Sequence, residues 1–232
     1  MKSFTEKKVE KYMYDILPKR DAVIAEMESY AKKHDVPIIG PAVARMLYLF
    51  AQISGAKRIF EMGSAIGYST IWLARAAGPD AEIYYTDGDP ANAARARGYF
   101  ERAGVESRIR ILVGDAVKLI DQVPAEFDMI FIDVDKPAYP AAVRKAVGRL
   151  RSGGLLVADN VLWSGKVAGS AKDASTRAIR QFNKIIYSTP ELFPVIIPLR
   201  DGVAVCRKAS RRRNSRQQGI PQHDGGAECR KG

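Results

Sequence analysis

Cysteine is scarce: Cys206 and Cys229 are too few for a disulfide framework or a cysteine-based zinc site. Cys206 falls in the apolar run GVAVC and reads as a core residue, whereas Cys229 lies in a polar tail. Histidine is equally sparse, and His34 and His223 lack partners at metal-ligand spacing, so neither receives a role. The opening stretch, MKSFTEKKVEKYMYDILPKR, holds no apolar segment of the signal-peptide kind. No run approaches the ~18 consecutive apolar residues of a membrane span. These absences predict a cytoplasmic protein with no membrane partner. Internal repeats are also lacking.

What is present is the composition of an ordinary globular chain, 47% hydrophobic and 27% charged over 232 residues, enough for one large α/β domain. The net charge of +11 is unevenly spread. Residues 207–232 carry eight lysines and arginines against Asp224 and Glu228, which is +6 of that total. The composition predicts a disordered basic tail over 208–232, either a solubilising appendage or an arm attracted to RNA or membrane.

Helical spacing marks residues 7–34 (Val9, Tyr12, Met13, Ile16, then Val23, Ile24, Met27, Tyr30), broken near Pro18, and again 41–54. From residue 57 the pattern alternates. Strands are predicted at 58–62, 82–86, 110–113, 129–132, 155–158, 195–198 and 203–206, with helices at 68–77, 90–103, 115–121, 137–151 and 173–188. Such alternation predicts one α/β domain over 1–207, a helical segment (1–54) leading into a core (57–207) with a mostly parallel sheet covered on both faces. The turn LRDG joins the last two strands as a hairpin, so one edge strand is expected to run antiparallel. Ligands of such sheets bind beyond the C-terminal strand ends.

The turn EMGSAIGYST after the first strand carries Gly63 and Gly67, but Ala65 stands where a dinucleotide fingerprint needs its second glycine, and no P-loop lysine follows. The second strand ends at Asp87, whose carboxylate can accept from both hydroxyls of a ribose. Asp89 before Pro90 fits a helix cap, leaving Asp87 free for a ligand. Asp115, at the third strand end, can cap the next helix or bond an adenine amino group. With Glu61 and Asp87 the cleft reads as acidic, which favours a cationic or neutral nucleoside over a pyrophosphate.

FEMGSAIGYST, TDGDP, FDMIFIDVDKPAY and LLVADNVLWSGKV, in this order and spacing, resemble the cation-dependent class I O-methyltransferases of the caffeoyl-CoA and catechol type. The similarity spans roughly residues 9–207. It implies a Rossmann-like sandwich with a seven-stranded, mostly parallel sheet. It also implies S-adenosylmethionine held by Glu61, Gly63, Ser64, Ser69, Asp87, Ala116 and Asp135, with Ile39 from the preceding segment. A divalent metal, usually magnesium, would sit on Asp133, Asp159 and Asn160, Lys136 would be the general base, and the enzyme would be a homodimer.

The residues agree with the metal assignment. Asp133 and Asp159 each end an apolar strand, and a single intervening helix makes those strands neighbours or near-neighbours. Two carboxylates and an amide oxygen suit Mg²⁺, Ca²⁺ or Mn²⁺ and not zinc. Lys136 either balances Asp133 and Asp135 at the surface or takes the proton of an acceptor hydroxyl beside Asp133. Trp163 either packs under its loop or walls a flat substrate ring. The expected activity is methyl transfer from S-adenosylmethionine to a small catechol-like phenol. Methylation of 5-hydroxyuridine in tRNA is a second reading, disfavoured because the basic residues cluster in a tail, and a non-catalytic nucleoside-binding module is a third.

Overall fold

The computed structural model describes residues 5–209; the expected tail beyond them, with Cys229 and His223, lies outside the described residues. Eight helices among the described residues are α1 (Lys7–Asp15), α2 (Ala22–His34), α3 (Gly40–Ile53), α4 (Tyr68–Ala77), α5 (Pro90–Arg102), α6 (Ala116–Leu119), α7 (Tyr139–Arg149) and α8 (Ala174–Ser188). The strands are β1 (Arg58–Met62), β2 (Glu82–Asp87), β3 (Ile109–Val113), β4 (Phe127–Ile132), β5 (Leu150–Ala158), β6 (Leu192–Ile197) and β7 (Val203–Lys208). They form one 7-stranded sheet in the order β3-β2-β1-β4-β5-β7-β6. β7 runs antiparallel to both β5 and β6. The hairpin thus folds β7 back between them, one place in from the edge, and leaves β6 outermost.

Both faces of the sheet are buried except toward its β6 edge, and the period of two along each strand divides them. Ile59, Ile83, Met129, Phe131 and Val157 face α2–α5, packing with Met27, Leu47, Ile71 and Phe100. Phe60, Met62, Ile130, Ile132 and Leu156 face the other way, onto Val143 of α7 and Ile179, Phe182 and Ile186 of α8. Each such side chain stabilises the fold by about 1.5–3 kcal/mol on burial. Asp21, Asp89, Asp115 and Asp173 cap α2, α5, α6 and α8 through backbone N–H groups. Helix α1 buries none of its residues. Cys206 is a buried free thiol, pushed up to about 12 by burial, and His34 stacks on Tyr30.

Several expected boundaries shift: β4 starts at Phe127 rather than 129, β6 at Leu192 rather than 195, and β7 runs on to Lys208. The helix expected over 137–151 stops at Arg149, and β5 starts at Leu150 rather than 155. Pairing with β4 slips between Phe127 and Met129, where Gly153 adopts φ +78° and a Cβ on Gly154 would crowd the Asp128 carbonyl at 2.9 Å. A bulge of this kind carries no apolar pattern, so periodicity missed it. The helix expected over 115–121 is a single α-helical turn, α6, running into a 3-10 turn at Ile120–Gln122.

Candidate active site

The C-terminal ends of β1, β4 and β5 are flush, because Met62 pairs with Ile132 and Ile132 with Ala158. One residue further on stand Gly63, Asp133 and Asp159. The ladder continues past the strands: Asp133 N–H donates to Met62 O (2.8 Å) and Asp159 N–H to Ile132 O (3.2 Å). This sets the two aspartates side by side. Gly63 has φ +83°, and a Cβ there would lie 2.5 Å from the Asp133 carbonyl oxygen. Only glycine lets the first turn approach the end of β4 so closely.

A cavity of about 880 Å³ opens above these ends. Ile39, Gly63, Ser64, Ser69, Asp87, Asp115, Ala116 and Asp135 line it, together with Asp133, Lys136, Asp159, Asn160 and Trp163. The structure therefore gathers every expected site residue around one space except Glu61. That carboxyl is fully buried, receives Thr70 Oγ1 at 2.5 Å, and is absent from the lining. Burial pushes its pKa up to about 7, against the hydroxyls of Ser69, Thr70 and Ser64. The cleft is accordingly less acidic than the sequence suggests.

Asp87 is not free either. Its Oδ2 accepts the Ala65 N–H (2.9 Å), and its Oδ1 accepts Asp89 N–H (2.8 Å) and Asn92 Nδ2 (3.1 Å). A carboxylate offers about four acceptor positions, so these bonds orient it while leaving room at the cavity. Ala65 thus replaces the missing glycine by adopting φ +44° and donating to Asp87. Asp115 caps α6, its Oδ1 accepting Val117 N–H at 2.9 Å, and it also lines the cavity.

On the other side, Lys136 Nζ donates to Asp133 Oδ1 and Tyr139 OH, each at 2.9 Å, with its side chain 12% exposed. Tyr139 OH in turn donates to the Asp159 carbonyl at 2.8 Å. Nothing in the sequence singles out Tyr139, although it ends the stretch FIDVDKPAY; helical periodicity gives it only a core position. Trp163 lines the cavity beneath which it also packs, and Lys136 Nζ lies 5.8 Å from its ring centre.

The pair of aspartates fits a cation. Asp159 is 2% exposed, and its Oδ1 is buried without a hydrogen-bond partner. Burial and the charge of Asp133 push its pKa up to about 7, opposed by Arg200. Burial likewise raises that of Asp133, opposed by Lys136. Two repelling carboxylates with an orphaned oxygen form the setting that a divalent ion relieves. Among the described residues no three His, Cys, Asp or Glu side chains converge, so the third donor would be the neighbouring Asn160 amide.

The family described as O-methyltransferase matches residues 18–209. A catechol O-methyltransferase of Niastella koreensis is 37% identical over 185 residues, 77% of this chain and 84% of the relative. The solved O-methyltransferase of Bacillus cereus in complex with SAH shares 29% identity and a TM-score of 0.80 over 87% of this chain and 97% of its own. TomG of Streptomyces achromogenes, an O-methyltransferase of tomaymycin synthesis solved with SAM, shares 27% identity and a TM-score of 0.81 over 88% and 96%. These relatives set aside a non-catalytic binding module. With the sheet order and the cavity above its strand ends, they establish that the chain belongs to the O-methyltransferase family and is an S-adenosylmethionine-dependent O-methyltransferase.

Proposed function

We propose that the chain methylates one hydroxyl of a small phenol bearing a second hydroxyl beside it, using a divalent cation, magnesium foremost, held by Asp133, Asp159 and Asn160. The observation that carries this reading is the buried, unpartnered Asp159 Oδ1 next to Asp133 in the cavity that also holds Lys136. The similarity to a catechol O-methyltransferase supports the acceptor class. When bound, the cation supplies positive charge that makes a phenolic hydroxyl markedly more acidic. Lys136 receives the acceptor's proton at Nζ, where Asp133 and Tyr139 lie within 2.9 Å to hold it. The Trp163 ring walls the acceptor and keeps water out.

For S-adenosylmethionine, Asp87 accepts from the ribose hydroxyls and Asp115 from the adenine amino group. Gly63, Ser64, Ser69, Ala116, Asp135 and Ile39 shape the remaining wall. Glu61 acts from beneath, holding the β1–α4 turn through Thr70. Aligning acceptor oxygen and methyl group is the chain's main contribution. We also propose a cytoplasmic homodimer. The free thiol of Cys206 suits a reducing compartment, no described helix is long and apolar enough to cross a membrane, and exposed Phe193 and Val195 on β6 support a partner.

Methyl transfer to a panel of catechols, with Mg²⁺ or EDTA and with wild type or Asp159→Ala, tests the reading. Loss on the order of 100-fold in kcat/KM is expected from either EDTA or the substitution. Activity that survives both, or transfer to tRNA in place of any catechol, would overturn it.

A further inference from the structure

The loop after β5 carries Asn160 and Trp163 to the cavity in a backbone that L-residues seldom hold. φ is +61° at Asn160, +47° at Trp163 and +52° at Ser164. Such conformations persist only where the surroundings over-determine them. The surroundings here are the β6–β7 turn. Val161 N–H donates to Gly202 O and Leu162 N–H to Asp201 O, both at 2.9 Å. The Asp201 side chain then accepts the Ser164 N–H at Oδ1. Gly202 seals the junction: it has φ +84°, and a Cβ there would meet the Leu162 side chain at 2.4 Å. From the opposite side Asn183 Nδ2 donates to Val161 O at 2.8 Å.

Asp201 is 1% exposed and lines no part of the cavity. Its second oxygen, Oδ2, is buried without a hydrogen-bond partner. A buried carboxylate with an orphaned oxygen is costly, so its retention asks for a compensating task. The task on view is the grip on Ser164, the residue directly after Trp163.

We propose that Asp201 is a positioning residue for the methyl acceptor: through Ser164 it fixes the Trp163 ring and the Asn160 backbone, and so sets which hydroxyl of the acceptor is presented. This rests on the acceptor reading above, but the clamp itself is testable without any acceptor. Asp201→Ala removes the grip. Asp201→Glu keeps the charge and moves it by one methylene, whereas Asp201→Asn keeps an oxygen where Oδ1 stands. If Asp201→Ala does not fold, the Glu and Asn variants alone decide the matter.

In a Trp72→Phe background, Trp163 is the sole tryptophan, and its acrylamide quenching in the ligand-free protein reports how firmly the ring is held. Quenching is expected to rise in the Ala and Glu variants and to stay at the wild-type level in Asn. With catechols, the Ala and Glu variants are expected to raise acceptor KM by about tenfold, the worth of one hydrogen bond. They are also expected to shift the ratio of the two mono-methylated products, with S-adenosylmethionine affinity within about twofold of wild type. Wild-type quenching and product ratio in Asp201→Glu, or an Asn variant as impaired as Glu, would overturn the proposal. If wild type methylates no catechol, the acceptor reading fails, and the quenching series still decides the clamp.

Discussion

Glu61 shows how far a single residue can be placed from sequence. Its position at the end of β1 was legible, and so was its face, because it shares the α4 side with Ile59 two residues earlier. What no local pattern revealed is that Thr70, in the first turn of α4, would donate to it and hold it beneath the cavity rather than at its wall. The consequence is thermodynamic. Burial raises its pKa from 4.5 to about 7, so the folded state binds this proton more tightly than the unfolded chain does. The stability linked to Glu61 is therefore greatest below pH ~4.5 and falls as pH rises through about 7. Glu61→Gln, which keeps an oxygen for Thr70, is expected to gain on the order of 2 kcal/mol over wild type at pH 8 and nothing at pH 4. Ligand-free unfolding curves across that range measure it. A wild-type to variant difference that does not change with pH would rule the idea out.

At the scale of elements, short apolar runs alternating with helical segments located all seven strands, and the flush ends that bring Asp133 and Asp159 together follow from one crossover helix between neighbouring strands. Contacts between distant loops left no trace in the sequence: the turn LRDG announces a hairpin, but nothing near it says that Asp201 reaches Ser164. Arg180 is a second such case. Its guanidinium donates to Val167 O (2.9 Å), Ala171 O (2.7 Å), Lys166 O (2.9 Å) and Gly169 O, so one side chain of α8 gathers the far half of the loop that starts at Asn160. Arginine suits this because its planar fork presents five donors in fixed directions. Arg180→Ala leaves those carbonyls to water and is expected to cost about 2 kcal/mol. Hydrogen exchange should quicken over residues 163–171 while β1, β4 and β5 keep their protection. Unchanged exchange in the loop would mean that the guanidinium follows the loop and does not hold it.

For the whole molecule, the uncovered side of the sheet bears on assembly. α2–α5 cover one face over β1, β4 and β5, but toward the outer edge Phe193 is 73% exposed and Val195 46%, both on that same side of β6. Opposite them on β7 lie Arg207 and Val205. β6 is also the outermost strand, so it presents unpaired backbone groups beside this apolar stripe. A lone edge strand of this kind invites association, and a second copy covering it would bury the stripe; a stable homodimer buries about 800 Å² per partner. Wild type is therefore expected to elute in light-scattering chromatography with twice the 25.6 kDa chain mass. Phe193→Asp places a charge at the centre of the stripe, which costs several kcal/mol when desolvated, and is expected to yield monomer. Because Phe193 packs in neither core, the variant should keep the wild-type melting temperature to within a few degrees at matched concentration, apart from what dimerisation itself adds. A wild type that runs as monomer at tens of micromolar, or a Phe193→Asp protein that stays dimeric, would show that β6 is not the interface.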